Sequence, residues 1–434
     1  MLIICHYAFN CKNLAYTSVA RFDRGEGVYQ IFAPNDYSGT YDIIVRSIVD
    51  TMDLRGYTDI NLRRNALEKK LAVKLPHVGS YSLDAKTASS KHCENMIGAA
   101  QIPLGIAGPL KLKSEEFPAR NYYIPLATTE GALIASVSRG CKAIFESNGA
   151  SVYSYKVGTT RGPVFYTGNL KNERRLYKWV KENEDEIKNT AEKTSKHLKF
   201  KKLKIEGLGN YAFIRFSFDT GDAMGMNMAT IATLAIAELI EKATGIKALS
   251  IAGNYDVDKK ASWLNFINHR GIKGWAEVVL SSKVLREVLK TDSEKLFDVW
   301  LAKCMIGSAM SGSLGFNAHF ANVIAAFYIA TGQDPAHVVE GSLGITTMKV
   351  MPDKSLYVSV YLPSLMLGII GGGTGLSTQK EAINLLKLDK KRSVLELAEV
   401  VAGSVLAGEI SLLASLAENS LVSAHRKLGR GEKI

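Results

Sequence analysis

The sequence predicts an α+β protein. It would comprise a large mixed domain built around a central helix, a smaller α+β domain inserted into it, and a small N-terminal helical domain. Three observations carry this. Within Ile124 to Ile144 the residues after Thr128 and Thr129 read as a helix of small residues, with Leu133, Ile134, Val137 and Cys141 on one apolar stripe. Ala212, Ile214, Phe216 and Phe218 alternate with Tyr211, Phe213, Arg215 and Ser217, a strand set between helical patterns from Pro163 to Ser250. Tyr57 to Leu75 is a charged amphipathic helix in a separate leading unit, 1–93. At 434 residues the chain is also long for a single core.

Composition narrows the classes. The chain is 47% hydrophobic and 22% charged, as globular proteins are. Its 54 Lys and Arg against 42 Asp and Glu give +12, which fits a nucleic-acid binder, a solvated basic surface, or a site for a polyanionic small molecule. The basic residues are dispersed apart from Lys196 to Lys204, and no recognition motif accompanies that cluster, so no nucleic-acid partner is expected. Five cysteines (Cys5, Cys11, Cys93, Cys141, Cys304) without CxxC pairing point to a reducing cytosol. No uncharged apolar run approaches the ~18 residues of a membrane span, and the start lacks a signal-peptide pattern. A soluble cytoplasmic protein without a membrane partner is expected.

Along the leading helix, Leu62, Leu67 and Leu71 mark the packing side, and Arg63 and Arg64 a solvated face. Glu94 to Gly98 and Ile102 to Leu110 carry regular Pro and Gly, the spacing of short strands and tight turns. Thr128 and Thr129 are candidate N-caps of the next helix, which puts Glu130 in its first turn beside Gly131. Ser136 and Arg139 form a polar pair on that otherwise apolar helix. Arg161 precedes Gly162-Pro163, and Lys171 to Lys204 reads as one or two exposed helices.

Gly207-Leu208-Gly209-Asn210-Tyr211-Ala212 fits GxGxxA but precedes a strand, the wrong context for a dinucleotide fingerprint. Gly221 to Asn227 follows the Tyr211–Phe218 strand and opens a helix with the stripe Met228, Ile231, Ala232, Ala235 and Leu239. That arrangement is an anion site unless Asp222 simply caps the helix. Asp258, Lys259 and Lys260 follow Gly253-Asn254-Tyr255; alone they are a surface charge run. Lys290 and Lys303 read as helix lysines. Gly307 to Asn322 is rich in small residues and lacks metal-ligand spacing, so no metal is assigned. Asp334 follows the apolar helix Val323 to Ala330, a poor place for an acid in the helix dipole. Gly371 to Gly375 is a glycine run, and Val394 to His425 reads as an apolar helix pair with Gly403 and Gly408 at close contacts.

Ala-Thr-Thr-Glu-Gly at Ala127–Gly131, with Ser138-Arg139-Gly140-Cys141-Lys142-Ala143-Ile144, resembles the signature of 3-hydroxy-3-methylglutaryl-coenzyme A reductases. The likeness recurs in order through Glu94–Gly98, Gly221–Asn227, Ile251–Lys260 and the segment to His425. The resemblance implies a soluble, class I-like enzyme of the mevalonate pathway, with 94–162 and 251–434 forming the large substrate domain. Residues 163–250 would be a ferredoxin-like NADP(H)-binding insert. It implies four catalytic residues, Glu130, Lys259, Asp334 and His425. It implies substrate contacts from Ser136, Arg139, Arg161, Asp258, Lys260, Lys290, Lys303 and Asn322. Cofactor contacts would come from Ser195, Lys196, Asp222, Met224, Gly225, Met226, Asn227, Gly371 and Thr374. NADPH is the implied cofactor, CoA the carrier in the substrate, and a homodimer or dimer of dimers with interfacial active sites the assembly. Lys196 stands where the family has an Arg beside the ribose 2′-phosphate. It keeps the charge without the fork, which leaves NADH open. Ala252 stands in place of a substrate-contacting Ser, and Asp256-Val257 in place of Cys-Thr.

Reduction of a thioester to an alcohol takes two hydride transfers, each placing negative charge on the carbonyl oxygen, so a fixed cation is needed there. Lys259 is of the right type. An acid on a mobile tail, His425, could protonate departing CoA thiolate. Glu130, raised by burial or by Asp334, could deliver a proton. A non-redox CoA-thioester lyase or synthase would use the same acidic and cationic groups, and a non-catalytic binding module would account for the net charge.

Overall fold

The computed structural model describes residues 54–57 and 59–418, and the backbone of three short strands before them. Those strands, Val19–Phe22, Tyr29–Phe32 and Asp42–Ile43, form an antiparallel sheet, so the leading segment expected to be helical also contains strands. Their sequences, VARF and YQIF, include the β-branched and aromatic residues Val19, Phe22, Tyr29, Ile31 and Phe32, which favour a pleated strand over a helix.

The leading helix runs Ile60–Leu71, shorter than expected, because Asp59 caps it through the Asn61 and Leu62 N–H groups and Ala72 turns left-handed at its end. Its packing side differs from the expectation. Leu62 and Leu71 are 58% and 60% exposed, whereas Arg63 is buried. The Arg63 guanidinium donates to the carbonyls of Leu54, Met96 and Tyr57 at 3.1, 2.6 and 2.5 Å. Periodicity cannot anticipate a cation that satisfies orphan carbonyls inside a small core.

Among the described residues the main sheet has ten strands. Its central path runs Lys247–Ser250, Val164–Tyr166, Tyr211–Asp219, Ala150–Arg161, Gly271–Leu280, Leu356–Leu365 and Ile345–Val350. Every pairing along that path is antiparallel. Ala150–Arg161 joins the two halves. Its first part pairs with Gly271–Glu277 and its last three residues pair with Phe216–Phe218. Gly158 lies at the change of partner with φ +115, and a Cβ there would meet Ser217 Oγ at 2.5 Å. The Pro- and Gly-rich stretch runs into one strand longer than expected, Leu104–Ser114, which pairs with Phe117–Ala127 through register shifts that absorb the irregular residues.

Two cores lie on either side of that junction. One is built from Phe165 to Ile246 and contains Ala212, Ile214, Phe216 and Phe218, as the alternation predicts. Its helix Met226–Thr244 buries Ala229, Ala232, Thr233, Ile236, Ala237 and Ile240, while Ile231 is 58% exposed. The stripe is therefore rotated from the expected one; a helix apolar nearly all round does not disclose its inner face. The second core spans Ala107 to Ala414, without residues from the first. Its axis is one helix, Ser393–Ala417, in place of the expected helix pair. This helix is long and apolar enough to cross a membrane by length and composition, yet 83% of its most apolar window is buried inside the protein.

Three glutamates on that helix lie inside the core with partners. Glu396 accepts from Tyr122 Oη at 2.6 Å, Glu399 from Ser154 Oγ at 3.1 Å, and Glu409 from the N–H groups of Ala318 and His319 at 2.8 Å each. Gly403 and Gly408 sit at close contacts as expected: a Cβ would meet Leu112 Cδ2 at 2.6 Å and Val323 Cγ2 at 2.7 Å.

Candidate active site

The loop Ile251–Ser262 is unusual in backbone as well as sequence. Asn254, Val257 and Lys259 all have positive φ (63, 58 and 56°), a conformation that costs non-glycine residues on the order of 1–3 kcal/mol each. Buried contacts impose it. Asp256 is fully buried and accepts from Arg161 Nη1 at 3.2 Å, while its carbonyl accepts from Thr160 Oγ1 at 2.9 Å. Asn265 Nδ2 donates to the carbonyls of Val257 and Lys260, each at 3.3 Å. Gly162 permits this approach, since a Cβ there would lie 2.6 Å from Asp256 N.

The loop delivers Lys259 to Asp334, with Nζ 2.8 Å from Oδ2. Asp334 lies just past the helix Phe320–Thr331, which Gly332 ends in a left-handed cap, and it caps the following turn by accepting from Ala336 N at 3.0 Å. Capping thus accounts for part of its position, contrary to the expectation from the dipole alone. Burial works against its charged form. The hydrogen bond from Lys259, the Ala336 N–H and the charges of His337 and Lys259 outweigh burial and hold the carboxyl below its ordinary range.

Behind this pair is a buried polar group that sequence reasoning missed. Arg270 and Glu340 are fully buried and joined through Arg270 Nη1. Glu340 Oε1 also accepts from His337 Nδ1 at 2.7 Å and from the Lys259 backbone N–H at 3.3 Å. Arg270 Nη2 reaches Asp258 Oδ1 at 2.7 Å, and this charge, with those of His337 and Lys259, overrides burial to keep Asp258 low. Asp258, His337 and Glu340 bring their ligating atoms within 4.8 Å of one another, but the positive charge such a cluster needs comes from the Arg270 guanidinium. The one signal in sequence was a His and a Glu three apart in an otherwise apolar stretch, Pro335 to Gly341; Arg270 at a strand start gave none.

Asp334 lines a cleft of 590 Å³ together with Ala223–Met228, Gly332, Gly368 and Ile370–Thr374. Gln333, also missed, fixes this meeting: it donates to Gly368 O and accepts from Gly368 N, both at 2.9 Å. Gly332 and Gly373 touch so closely that a Cβ on Gly332 would lie 2.3 Å from Gly373 O. Thr374 Oγ1 donates to Gly371 O at 2.7 Å. The helix Met226–Thr244 opens at Gly225, with φ +83 and no side-chain cap, so Asp222 is not its cap. Asp222 instead accepts from Ile369 N at 2.9 Å through its carbonyl. Gly225, Met226 and Asn227 at the helix start, and Met224 before it, therefore all border the cleft. Ser195 Oγ lies 3.7 Å from Met228 Sδ, which puts Ser195 and the exposed Lys196 beside the first helical turn.

Glu130 belongs to a second grouping. The helix it was expected to open begins only at Leu133, because Ala132 is left-handed (φ 74), so Glu130 lies in the preceding turn with its N–H on Thr128 Oγ1 at 2.9 Å. Its carboxylate is exposed in this chain, without the expected burial, and accepts from Asn322 Nδ2 at 2.7 Å. Asn322 and Lys303 line a 780 Å³ groove with His319 and Ala261, two residues beyond Lys259. Among the described residues no hydrogen bond or ion pair joins Glu130 to Lys259 or Asp334.

The remaining candidates are scattered or already engaged. Arg161 spends its fork on Thr230 Oγ1 at 3.0 Å, on Asp256, and on Asp258 Oδ2 at 3.7 Å. Ser136 and Arg139 reach Ser411 Oγ on the central helix at 2.9 and 3.0 Å, and Arg139 also reaches Ser415. Lys260 is exposed over Asp258 O at 3.3 Å. Lys290, at the left-handed end of a short π-helical turn, lines neither the cleft nor the groove. His425 lies outside the described residues.

The family described as hydroxymethylglutaryl-coenzyme A reductase matches residues 59–430. The 3-hydroxy-3-methylglutaryl-coenzyme A reductase of Pyrococcus horikoshii is 45% identical over 376 residues, covering 85% of this chain and 91% of that protein. The corresponding protein of Methanocaldococcus jannaschii is 48% identical over 377 residues, covering 85% and 92%. In fold, the chain is similar to the class II reductase of Streptococcus pneumoniae bound to NADPH in open conformations. There the TM-score is 0.62 with 19% identity, covering 81% of this chain and 82% of that one.

Proposed function

The chain belongs to the hydroxymethylglutaryl-coenzyme A reductase family, and from that premise we propose that it reduces (S)-3-hydroxy-3-methylglutaryl-CoA to mevalonate with NADPH, releasing CoA. The observation that carries this reading is the Lys259–Asp334 pair at 2.8 Å beside a cleft floored by glycines and an uncapped helix start.

The residues present fit a dinucleotide. The uncapped first turn after Gly225 offers backbone N–H groups to a phosphate, and Lys196 supplies a cation near the same helix start. Met224, Gly225, Met226, Asn227, Gly371 and Thr374 would hold it, with Asp222 fixing the turn behind them. Bound there, NADPH supplies the hydride. Lys259 offers its ammonium to the carbonyl oxygen as charge develops, and its left-handed backbone holds the side chain in the loop without rearrangement. Asp334 keeps that ammonium aimed until substrate arrives. Glu130 supplies a proton from the Asn322 side, and His425 protonates the departing thiolate. Lys303 and Asn322 take the acyl-CoA along the groove, with Asp258, Lys260, Arg161, Ser136, Arg139 and Lys290 as further substrate contacts.

The proposed division is 1–93, a large domain of 94–162 with 251–434, and a ferredoxin-like insert of 163–250; the two separate cores support the distinction between the last two. A cytoplasmic homodimer, or a dimer of dimers, with Glu130 and Lys259 meeting across subunits belongs to the same proposal; the exposed Glu130 supports it. The test is loss of nicotinamide absorbance when purified protein meets NADPH and this thioester, compared with NADH. Oxidation with a different acyl-CoA and none with this one would overturn the substrate assignment.

A further inference from the structure

Asp334 has two nitrogen-bearing neighbours, Lys259 and His337, and only one of them is free to leave. Lys259 lies on a half-exposed side chain at 2.8 Å. The other, His337, is completely buried, and its Nε2 lies 3.7 Å from the same Oδ2 atom with no hydrogen-bond partner. A buried polar nitrogen without a partner is uncommon and calls for an explanation. Its ring cannot turn away, because Nδ1 is held by Glu340 at 2.7 Å and Glu340 is itself held by Arg270. The groups facing the imidazole are therefore Glu340 and Asp334 on its own turn and Asp258 at 3.8 Å from the Lys259 loop. Behind them stand Arg270, Arg161 and the buried Tyr328.

This geometry has a consequence for a site in which Lys259 serves a developing oxyanion. An ammonium drawn to the substrate oxygen weakens its hold on Asp334, which leaves a half-buried carboxylate short of a partner, a costly state. Nε2 is about 0.8 Å beyond an ordinary ~2.9 Å hydrogen bond, a gap that a small rotation of the Asp334 side chain closes. We propose that His337 is a positioning residue that replaces Lys259 as the partner of Asp334 while the lysine stabilises the substrate oxygen, with Glu340 holding both the imidazole and the lysine backbone in register. The exchange moves hydrogen bonds only: with both nitrogens protonated, His337 donates to Glu340 and to Asp334, and no proton changes owner. The inference rests on the reductase reading of the site and adds to it a residue outside the four expected catalytic groups.

The experiment compares wild type with His337→Gln in steady-state reduction of the thioester across pH. The variant is expected to lose roughly tenfold in kcat, less than the ~100-fold that follows removal of a donor touching the reacting oxygen, with KM unchanged. The acid limb of its kcat profile is expected to move to higher pH, because Asp334 loses the charge that helps keep it ionised. A purely structural role would leave that limb in place, and an unchanged kcat and limb overturn the proposal. If His337→Gln fails to fold, Glu340→Gln keeps the volume and an acceptor and is expected to shift the limb the same way; an unshifted limb there also overturns it. Failure of the reductase reading is separable, since it shows as a wild type that oxidises no NADPH with this thioester. Independently of turnover, histidine-ring nitrogen NMR of Lys259→Ala is expected to show a new hydrogen bond at His337 Nε2, and its absence refutes the exchange.

Discussion

Lys259 Nζ lies 2.8 Å from Asp334 Oδ2, and the backbone N–H of the same lysine donates to the buried Glu340 at 3.3 Å. One residue is thus fixed at both ends by acids from a single segment, Asp334–Glu340. This double hold sets the ammonium beside Asp334, which lines the cleft, in spite of a strained backbone.

Removing that ammonium should cost most of the turnover. Lys259→Ala is expected to lower kcat by about 100- to 1,000-fold, the range for losing a preorganised charge-stabilising donor, while NADPH still binds. Cofactor fluorescence titration beside the rate assay checks both halves. A rate within tenfold of wild type would remove Lys259 from the oxyanion role.

Asp334 makes a prediction about pH. Its carboxyl is held below the ordinary value in the folded protein, so it contributes stability that is present above the unfolded-state value and lost as pH falls through the folded one. The melting-temperature gap between wild type and Asp334→Asn should therefore be full at neutral pH and shrink in acid. A gap that stays constant down through the carboxylate range contradicts this.

Glu409 tests the central helix. Its buried carboxylate accepts from Ala318 N, His319 N and Thr346 Oγ1 at 2.8, 2.8 and 2.6 Å and lies 3.0 Å from His319 Nδ1. Glu409→Ala strands all four partners and is expected to destabilise by about 3–5 kcal/mol in denaturant unfolding. Burial opposes its charged form, but His319, Thr346 and the Ala318 N–H hold the carboxyl low, so this contribution too should fade as pH falls.

Two glycines separate packing from backbone. A Cβ on Gly140 would lie 1.9 Å from Ala407 O, where two helices cross. Gly140→Ala should cost about 1–3 kcal/mol or more through forced separation of those helices. Gly209 has φ +67 but open space around it, so Gly209→Ala should cost only about 1 kcal/mol, from backbone conformation alone. Equal losses in thermal unfolding would refute the distinction.

The strand Tyr211–Asp219, the helix after Gly225, the apolar helix before Gly332 and the loop carrying Asp258-Lys259-Lys260 were all legible in the sequence, because period and punctuation are local properties. So were most of the residue types at the site, through motifs that each occupy one short stretch. The start of the Glu130 helix was not. Ala132 takes a left-handed conformation that no local pattern of alanine announces.

What the sequence determined by itself was the chemistry on offer: an acid-rich and lysine-bearing loop, an anion-ready helix start and a family signature. Only the tertiary structure decided which groups meet. It buried Arg63 and Arg270, turned Arg139 onto the central helix, and put His337 and Glu340 behind Lys259. The physical reason is that a buried charge is stable only where distant segments supply its partners, and such partners are a property of the packed whole and leave no period in the chain.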